Sequence, residues 1–330
     1  ACAAAGEASS GDAACAAVSR PRTAWETSIV DGLPGHQAEG SRYAFVTLAL
    51  DHGGYRGAHA IFQVLPIAMM LRRFRSRYPL VLLTDMTAFP DGVNLGEALA
   101  KLNVRVHQAH EVSIPGHIQR SFRYKYWQQA WWKLQIWRLI DYDKLIWMDS
   151  DAVVTRSIDK LFQLTPMWMM RDTWMCRMDT TKPCSGLMLI KPSEATYHSL
   201  LEYAATLRKL PNADQELIVA YFRDVAGQSV QLFDHLDASF GHCIGSVPGI
   251  NQSDISSKWG FDSPWRLPAF VHKSSTGNEC FSYDIARQYR QVSGVRANIC
   301  HYHPLGAYWR DAFCGAIAVL HTTKRSIEEF

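Results

Sequence analysis

Apolar residues in the central part of this chain fall into two recurring patterns, short unbroken runs and longer stretches of mixed spacing, and their alternation sets the expected fold. Residues 43–50 form an apolar run of strand length that ends in a polar, glycine-rich turn at 51–57, a seat for a nucleotide. Residues 58–77 predict a helix kinked at Pro66, residues 79–84 a second buried strand, and residues 102–107 a weaker, alternating third. Residues 131–140 read as an amphipathic helix, 141–143 as a turn and 145–148 as a short apolar strand. Beyond them come a short helix at 157–162 with Ser157 as its cap, a core-like stretch of tryptophans and methionines at 167–178, and a strand at 184–192. A helix at 193–210 opens on Ser193-x-x-Thr196 and closes near Pro211, and another follows at 213–222. From residue 233 short strands and loops alternate irregularly, up to an apolar C-terminal segment at 312–320. The strand-helix order up to residue 154 predicts an α/β fold, a mostly parallel sheet flanked by helices with right-handed crossovers.

The fourth strand delivers two carboxylates, Asp149 and Asp151, at its end. Strand side chains two apart point to the same side, and a bend at Ser150 lets both converge on one hard cation. Such a cation bridges the phosphates of a nucleotide. Asp-x-Asp also occurs in ordinary loops, where carboxylates cap turns. Here helix, turn, buried strand and paired acids lie in the order of a ligand crevice at the carboxyl end of a sheet.

With 330 residues and 48% apolar content the chain can bury one large core. A net charge of +3, evenly spread, argues against nucleic acid, and the basic run at 72–77 suits the solvated face of a helix. No run of eighteen apolar residues is present, so nothing in the sequence reads as a membrane span. Residues 1–40 are rich in Ala, Gly and Ser, and read as a flexible arm that wraps the body or a protein partner. The start at Ala1 reads as a processed or truncated end. Eight cysteines, Cys2, Cys15, Cys176, Cys184, Cys243, Cys280, Cys300 and Cys314, include no Cys-x-x-Cys pair, which argues against structural zinc. Disulfides among Cys280, Cys300 and Cys314, or between Cys2 and Cys15, require an oxidising compartment. Asn251-Gln-Ser253 is a glycosylation sequon if the chain is secreted. The cysteines and the arm tilt the expectation toward a secretory, Golgi-type lumen over cytoplasm or an organelle.

The succession Phe45-Val46-Thr47-Leu48, the strand at 79–83, Lys133, Met148-Asp149-Ser150-Asp151-Ala152, Cys184-Ser185-Gly186-Leu187 and Ala213-Asp214-Gln215-Glu216 resembles the glycogenin-type family 8 glycosyltransferases over roughly residues 41–275. The resemblance implies a GT-A, Rossmann-like fold in one large domain. Its donor-binding half is expected at about 41–155, its acceptor half at about 156–275 and a C-terminal extension at about 276–330. It implies a retaining hexosyl- or pentosyltransferase that binds a nucleotide sugar, UDP-linked, through a divalent metal, manganese.

Residue by residue, Asp149 and Asp151 are similar to the family's metal-binding pair, with Ser150 between them. Phe45, Val46, Thr47, Leu48 and Tyr55 resemble the wall that holds uracil and ribose. Lys133 resembles the lysine that reaches the donor, and a compact ammonium suits a diphosphate or a sugar. Ser185 and Gly186 match an Asn-Ser-Gly motif that contacts the sugar, although Cys184 replaces the asparagine and a thiol lacks the amide's paired donor and acceptor. Asp214 and Gln215 match the pair beside the reacting sugar, where a carboxylate stabilises oxocarbenium charge or accepts the glycosyl group. The third metal ligand in this family is a late histidine. His272, which follows an apolar run at nearly the right distance, is the preferred candidate, and its rival His303 better resembles the family's His-x-x-Gly piece. Neither carries the full phosphate-clamping signature after it, for which Lys273 and Ser274 substitute or which is lost.

Self-glucosylating members carry an acceptor tyrosine between the Asp-Gln helix and the late histidine. Here no tyrosine occurs between Tyr221 and Tyr283, so the expected acceptor is another glycan, protein or lipid. The loops at 112–127 and 235–265, with His117, Arg120, Arg123, Trp259 and Trp265, are where it is expected to bind. Two other readings stand beside the enzyme. One is a glycosyltransferase-like fold kept as a structural or interaction subunit, favoured by Cys184 and the missing clamp. The other, a nucleotidyltransferase, calls for a basic, glycine-rich loop that residues 51–57 only partly supply.

Overall fold

A computed structural model describes residues 42–51, 57–89, 92–173, 177–240 and 268–272, with helical residues 309, 311–313, 315, 316, 319 and 320. The expected arm at 1–40, Tyr55, Lys273, Ser274, His303, Asn251, Trp259, Trp265 and every cysteine except Cys184 lie outside the described residues.

The apolar runs become strands: β1 (Tyr43–Ala49), β2 (Leu80–Thr84), β3 (Val104–Gln108) and β4 (Lys144–Met148). A 3-10 turn (Gly57–Gln63) leads into α1 (Val64–Arg73), and α2 (Leu95–Ala100) precedes β3. Pro66 therefore does not interrupt a long helix. It sits in the first turn of α1, where a missing N–H costs no helical bond. The short α3 (Gly116–Gln119) is followed by a long 3-10 run, Lys125–Arg138, where regular α-helix was expected only from residue 131. The apolar spacing there fits either helix type, and packing of Trp131, Leu134 and Trp137 into the core decides the outcome.

After β4 come β5 (Ala152–Val154), a 3-10 turn (Asp159–Gln163), β6 (Trp168–Arg171) and β7 (Pro183–Ile190). The first of the two remaining described helices, α4 (Glu194–Thr206), is capped as expected by the Ser193 side chain, which accepts from the Thr196 N–H; the second is α5 (Ala213–Asp224). Short strands β8 (Gln231–Leu232), β9 (Ala238–Phe240) and β10 (Phe270–His272) complete the described elements.

Seven strands form one sheet in the order β3-β2-β1-β4-β7-β6-β8, with β7 antiparallel to both its neighbours. A small second sheet, β5-β10-β9, stands beside it. Alternate residues of the central strands feed two core layers. Phe45, Leu82, Ile146 and Leu189 pack toward α1, and Val46, Val81, Trp147 and Met188 pack toward the 125–138 run, α4 and α5. Burial on both faces explains why these strands read as unbroken apolar runs. The C-terminal segment seals the first layer: Trp309, Ala312 and Ala316 are buried, and Asp311 pairs with Arg73 at 2.7 Å.

Chain order reverses between β1 and β4, because β2 flanks β1 on one side and β4 on the other, all three parallel. A crevice opens beyond the carboxyl ends of such strands. Among the described residues no helix is long and apolar enough to cross a membrane.

Candidate functional site

Asp149 emerges from the carboxyl end of β4, and its N–H donates to the Gly186 carbonyl at 2.9 Å. Trp147, two residues earlier and so on the same side, donates its indole N–H to Asp149 Oδ1 at 2.8 Å. With Oδ1 held, Oδ2 turns to His272 Nε2 at 3.1 Å. The chain then bends through Ser150, whose hydroxyl donates to Gln63 Oε1 at 3.1 Å, and presents Asp151 Oδ1 3.3 Å from the same Nε2. Ser150 thus anchors the bend on the turn before α1.

His272 is brought to the two acids by strand pairing, whereas His303 lies outside the described residues. β10 runs antiparallel to β5 with His272 opposite Ala152, one residue past Asp151. The imidazole lies against β7 at Gly186, where a Cβ would stand 2.5 Å from Nδ1. Only a glycine lets the ring in. Ligand atoms of Asp149, Asp151 and His272 all fall within 4.8 Å of one another. Two carboxylate oxygens and an imidazole nitrogen form a donor set suited to a divalent cation of the manganese or magnesium type, so the residues fit the expected metal.

The imidazole and a lysine carry the positive charge of the site. Burial alone depresses His272, but the charge of Asp151 and hydrogen bonds to Asp149, Asp151 and Cys184 outweigh it and hold the pKa well above that of free histidine. Lys133 shows the same balance: burial disfavours its charge, and Asp149 and Asp214 overcome that and raise its pKa. Its Nζ lies 3.0 Å from Asp149 Oδ1 and 3.0 Å from Asp214 Oδ2, beneath the surface on the face of the Trp147 ring. Once His272 gives up its proton, as a metal ligand must, three carboxylates against one lysine leave two negative charges, which one divalent cation balances.

Asp214 and Gln215 open α5. Ala213, at φ 49°, takes the left-handed conformation that a side chain disfavours, and the helix starts abruptly from it with Asp214 buried against β7. Ser185 joins the two elements: its hydroxyl donates to Asp214 Oδ2 at 2.8 Å and its N–H to Gln215 Oε1 at 3.2 Å. An irregularity in the sheet makes this possible. Met169 pairs with Met188, but Met170 pairs with Cys184 rather than Leu187, so β6 skips Ser185, Gly186 and Leu187.

The structure therefore brings together Asp149, Asp151, His272, Lys133, Ser185, Gly186, Asp214 and Gln215. Along β1, where the uracil and ribose wall is expected, little side-chain surface is offered. Phe45, Val46 and Thr47 are fully buried, because β1 is central and covered on both faces, and of the four only Leu48 retains surface. Two contributors escaped the sequence reading. Trp147 was within reach of strand alternation, whereas Gln63 carries no local signal of its role.

No protein-family model matches the chain. Galactinol synthase 3 of Arabidopsis thaliana is 27% identical over 214 residues, 55% of this chain and 61% of that protein. Galactinol synthase 2 of Solanum lycopersicum is 27% identical, covering 56% of this chain and 61% of that protein. UDP-glucuronate:xylan alpha-glucuronosyltransferase 2 of Arabidopsis thaliana is 25% identical over 53% of this chain and 26% of its own length. The chain thus matches only about three fifths of the length of these galactinol synthases. Among solved structures, the apo glycosyltransferase GlyE of Streptococcus pneumoniae TIGR4 shares the fold, with a TM-score of 0.52 at 16% identity over 86% of this chain and 62% of that one. Over about half its length the chain is thus similar in sequence to these glycosyltransferases, and its architecture is the GT-A fold.

Proposed function

We propose that the protein is a metal-dependent, retaining glycosyltransferase that takes a sugar from a UDP-linked donor and passes it to a carbohydrate acceptor. The observation that carries this reading is the convergence of Asp149, Asp151 and His272 at the carboxyl end of β4, with Asp214 tied to the same centre through Lys133. The similarity to galactinol synthases and to a protein named for UDP-glucuronate and xylan supports the donor class and the acceptor class.

Asp149, Asp151 and His272 would hold the cation, which when bound neutralises the diphosphate and makes it a better leaving group. The chain's own residues do the rest. Trp147 fixes the rotamer of Asp149. Lys133 and Ser185 both bind Asp214 Oδ2, so Oδ1 is the oxygen left to face a sugar. A carboxylate there stabilises positive charge developing at the anomeric carbon, or takes the glycosyl group and gives it to the acceptor, and either course is compatible with retention.

Calorimetric titration of UDP with and without manganese tests the donor site. Manganese-dependent binding that disappears in Asp149→Ala/Asp151→Ala supports it and directs a screen of UDP-sugars for hydrolysis and transfer. Absence of binding by folded wild-type protein, with other nucleoside diphosphates included, overturns it in favour of a structural subunit.

A further inference from the structure

We infer that Ser185 is a positioning residue: with Lys133 it forms a buried clamp that fixes the Asp214 carboxylate to the carboxylate of the cation site, and it acts on the reaction through Asp214 instead of touching the donor. The inference deepens the functional reading above and rests on it for the reaction concerned.

The argument counts hydrogens. A lysine ammonium has three N–H donors. Around Lys133 Nζ stand Asp149 Oδ1 at 3.0 Å, Asp214 Oδ2 at 3.0 Å, Ser185 Oγ at 3.1 Å and the Ser185 carbonyl at 3.3 Å. Four protein oxygens therefore compete for three hydrogens, and the group is almost wholly buried. Nothing is left to reach a phosphate or a hydroxyl of the sugar. Ser185 has two polar hydrogens, and both point at α5: the hydroxyl to Asp214 Oδ2 at 2.8 Å and the N–H to Gln215 Oε1 at 3.2 Å.

The skipped register between β6 and β7 supports the same assignment. Ser185 lies where pairing with β6 lapses, which releases its backbone for Lys133 and Gln215. The next residue, Gly186, accepts from the Asp149 N–H and makes room for His272. Two adjacent residues of one strand thus set both halves of the centre, Gly186 the cation ligands and Ser185 the carboxylate of α5.

The test compares wild type, Ser185→Ala and Ser185→Thr in manganese-dependent hydrolysis of the UDP-sugar found active in the donor screen. A positioning role predicts that Ser185→Ala lowers kcat by about 100-fold, the order expected when a reacting group is misplaced by about 1 Å, with KM for the UDP-sugar nearly unchanged. Ser185→Thr, which keeps the hydroxyl, restores most of the rate. A raised KM with kcat retained identifies a donor contact and overturns the inference, and an unchanged kcat with a lowered Tm does so as well.

A second measurement is independent of turnover. In metal-free protein, the Tm losses of Ser185→Ala and Asp214→Asn are expected to be non-additive in the double variant, since both remove one interaction. Additive losses overturn the clamp. If the wild type hydrolyses no UDP-sugar, the functional reading fails, and the thermal cycle alone decides whether Ser185 holds Asp214.

Discussion

His272 and Gly186 occupy adjoining space so closely that a methyl group at Gly186 would lie 2.5 Å from the imidazole Nδ1. Gly186→Ala is therefore expected to push the ring out of line with Asp149 and Asp151. Displacing a metal ligand by altering its support weakens binding by about 10- to 100-fold. Calorimetry of manganese with UDP measures the loss, and affinity equal to wild type shows that β10 gives way instead.

The pH dependence of stability without metal follows from His272. Its pKa in the folded protein is raised above that of the unfolded chain, ~6.5, by Asp151 and its hydrogen bonds in spite of burial. The folded state holds this proton more tightly, so the stabilisation is complete below about pH 6.5 and is lost as pH rises through the folded value. In the presence of a chelator, the Tm difference between wild type and His272→Gln should shrink as pH increases above about 6.5. A gap that stays constant with pH refutes a charged His272. With metal present the proton must leave, so manganese affinity should rise over the same range.

Trp147 reaches Asp149 through one indole N–H at 2.8 Å. Trp147→Phe keeps most of the packing and removes that donor, and is expected to cost about 1 kcal/mol of stability. The greater effect should be on manganese affinity, by about tenfold or more, since the carboxylate loses its orientation. Thermal melts beside metal titrations separate the two, and unaltered affinity would show that the other contacts of Asp149 suffice to orient it.

For the acceptor, the described part of the expected surface offers Tyr124 and Trp127, packed edge to face with centroids 4.9 Å apart. The N–H of the preceding residue, Arg123, donates to the Pro211 carbonyl, which fastens this stretch to the turn leading into Asp214. Tyr124 is 46% exposed, so a sugar ring can lie on it. Trp127→Ala should raise KM for the acceptor and leave UDP-sugar hydrolysis without acceptor unchanged. A loss of hydrolysis instead would place this stretch at the donor.

The sequence by itself was most informative where interactions are local. Strands β1, β2, β4 and β7 were legible because burial on both faces produces unbroken apolar runs, and α4 because Ser193 caps it from the adjacent residue. Strands β5, β9 and β10, three residues each, are too short to show a period of two. The 3-10 form of the 125–138 run was hidden because the apolar pattern fits either helix, and the choice comes from packing.

The same division runs through the site. Asp149, Asp151, Lys133, Ser185, Asp214 and Gln215 were named from motif order, and strand alternation foresaw the convergence of the two acids, but not the contacts that tie them to the rest. That His272 joins the acids is decided by the β5–β10 pairing, which joins residues far apart in the chain. That Lys133 and Ser185 are turned inward onto Asp214 depends on where β6 loses register with β7. Sequence determined the chemical groups and the strands that carry them, because propensity and periodicity act over a few residues. Only the tertiary structure decided which groups meet, because strand register and the close fit at Gly186 are set by the packing of the whole sheet.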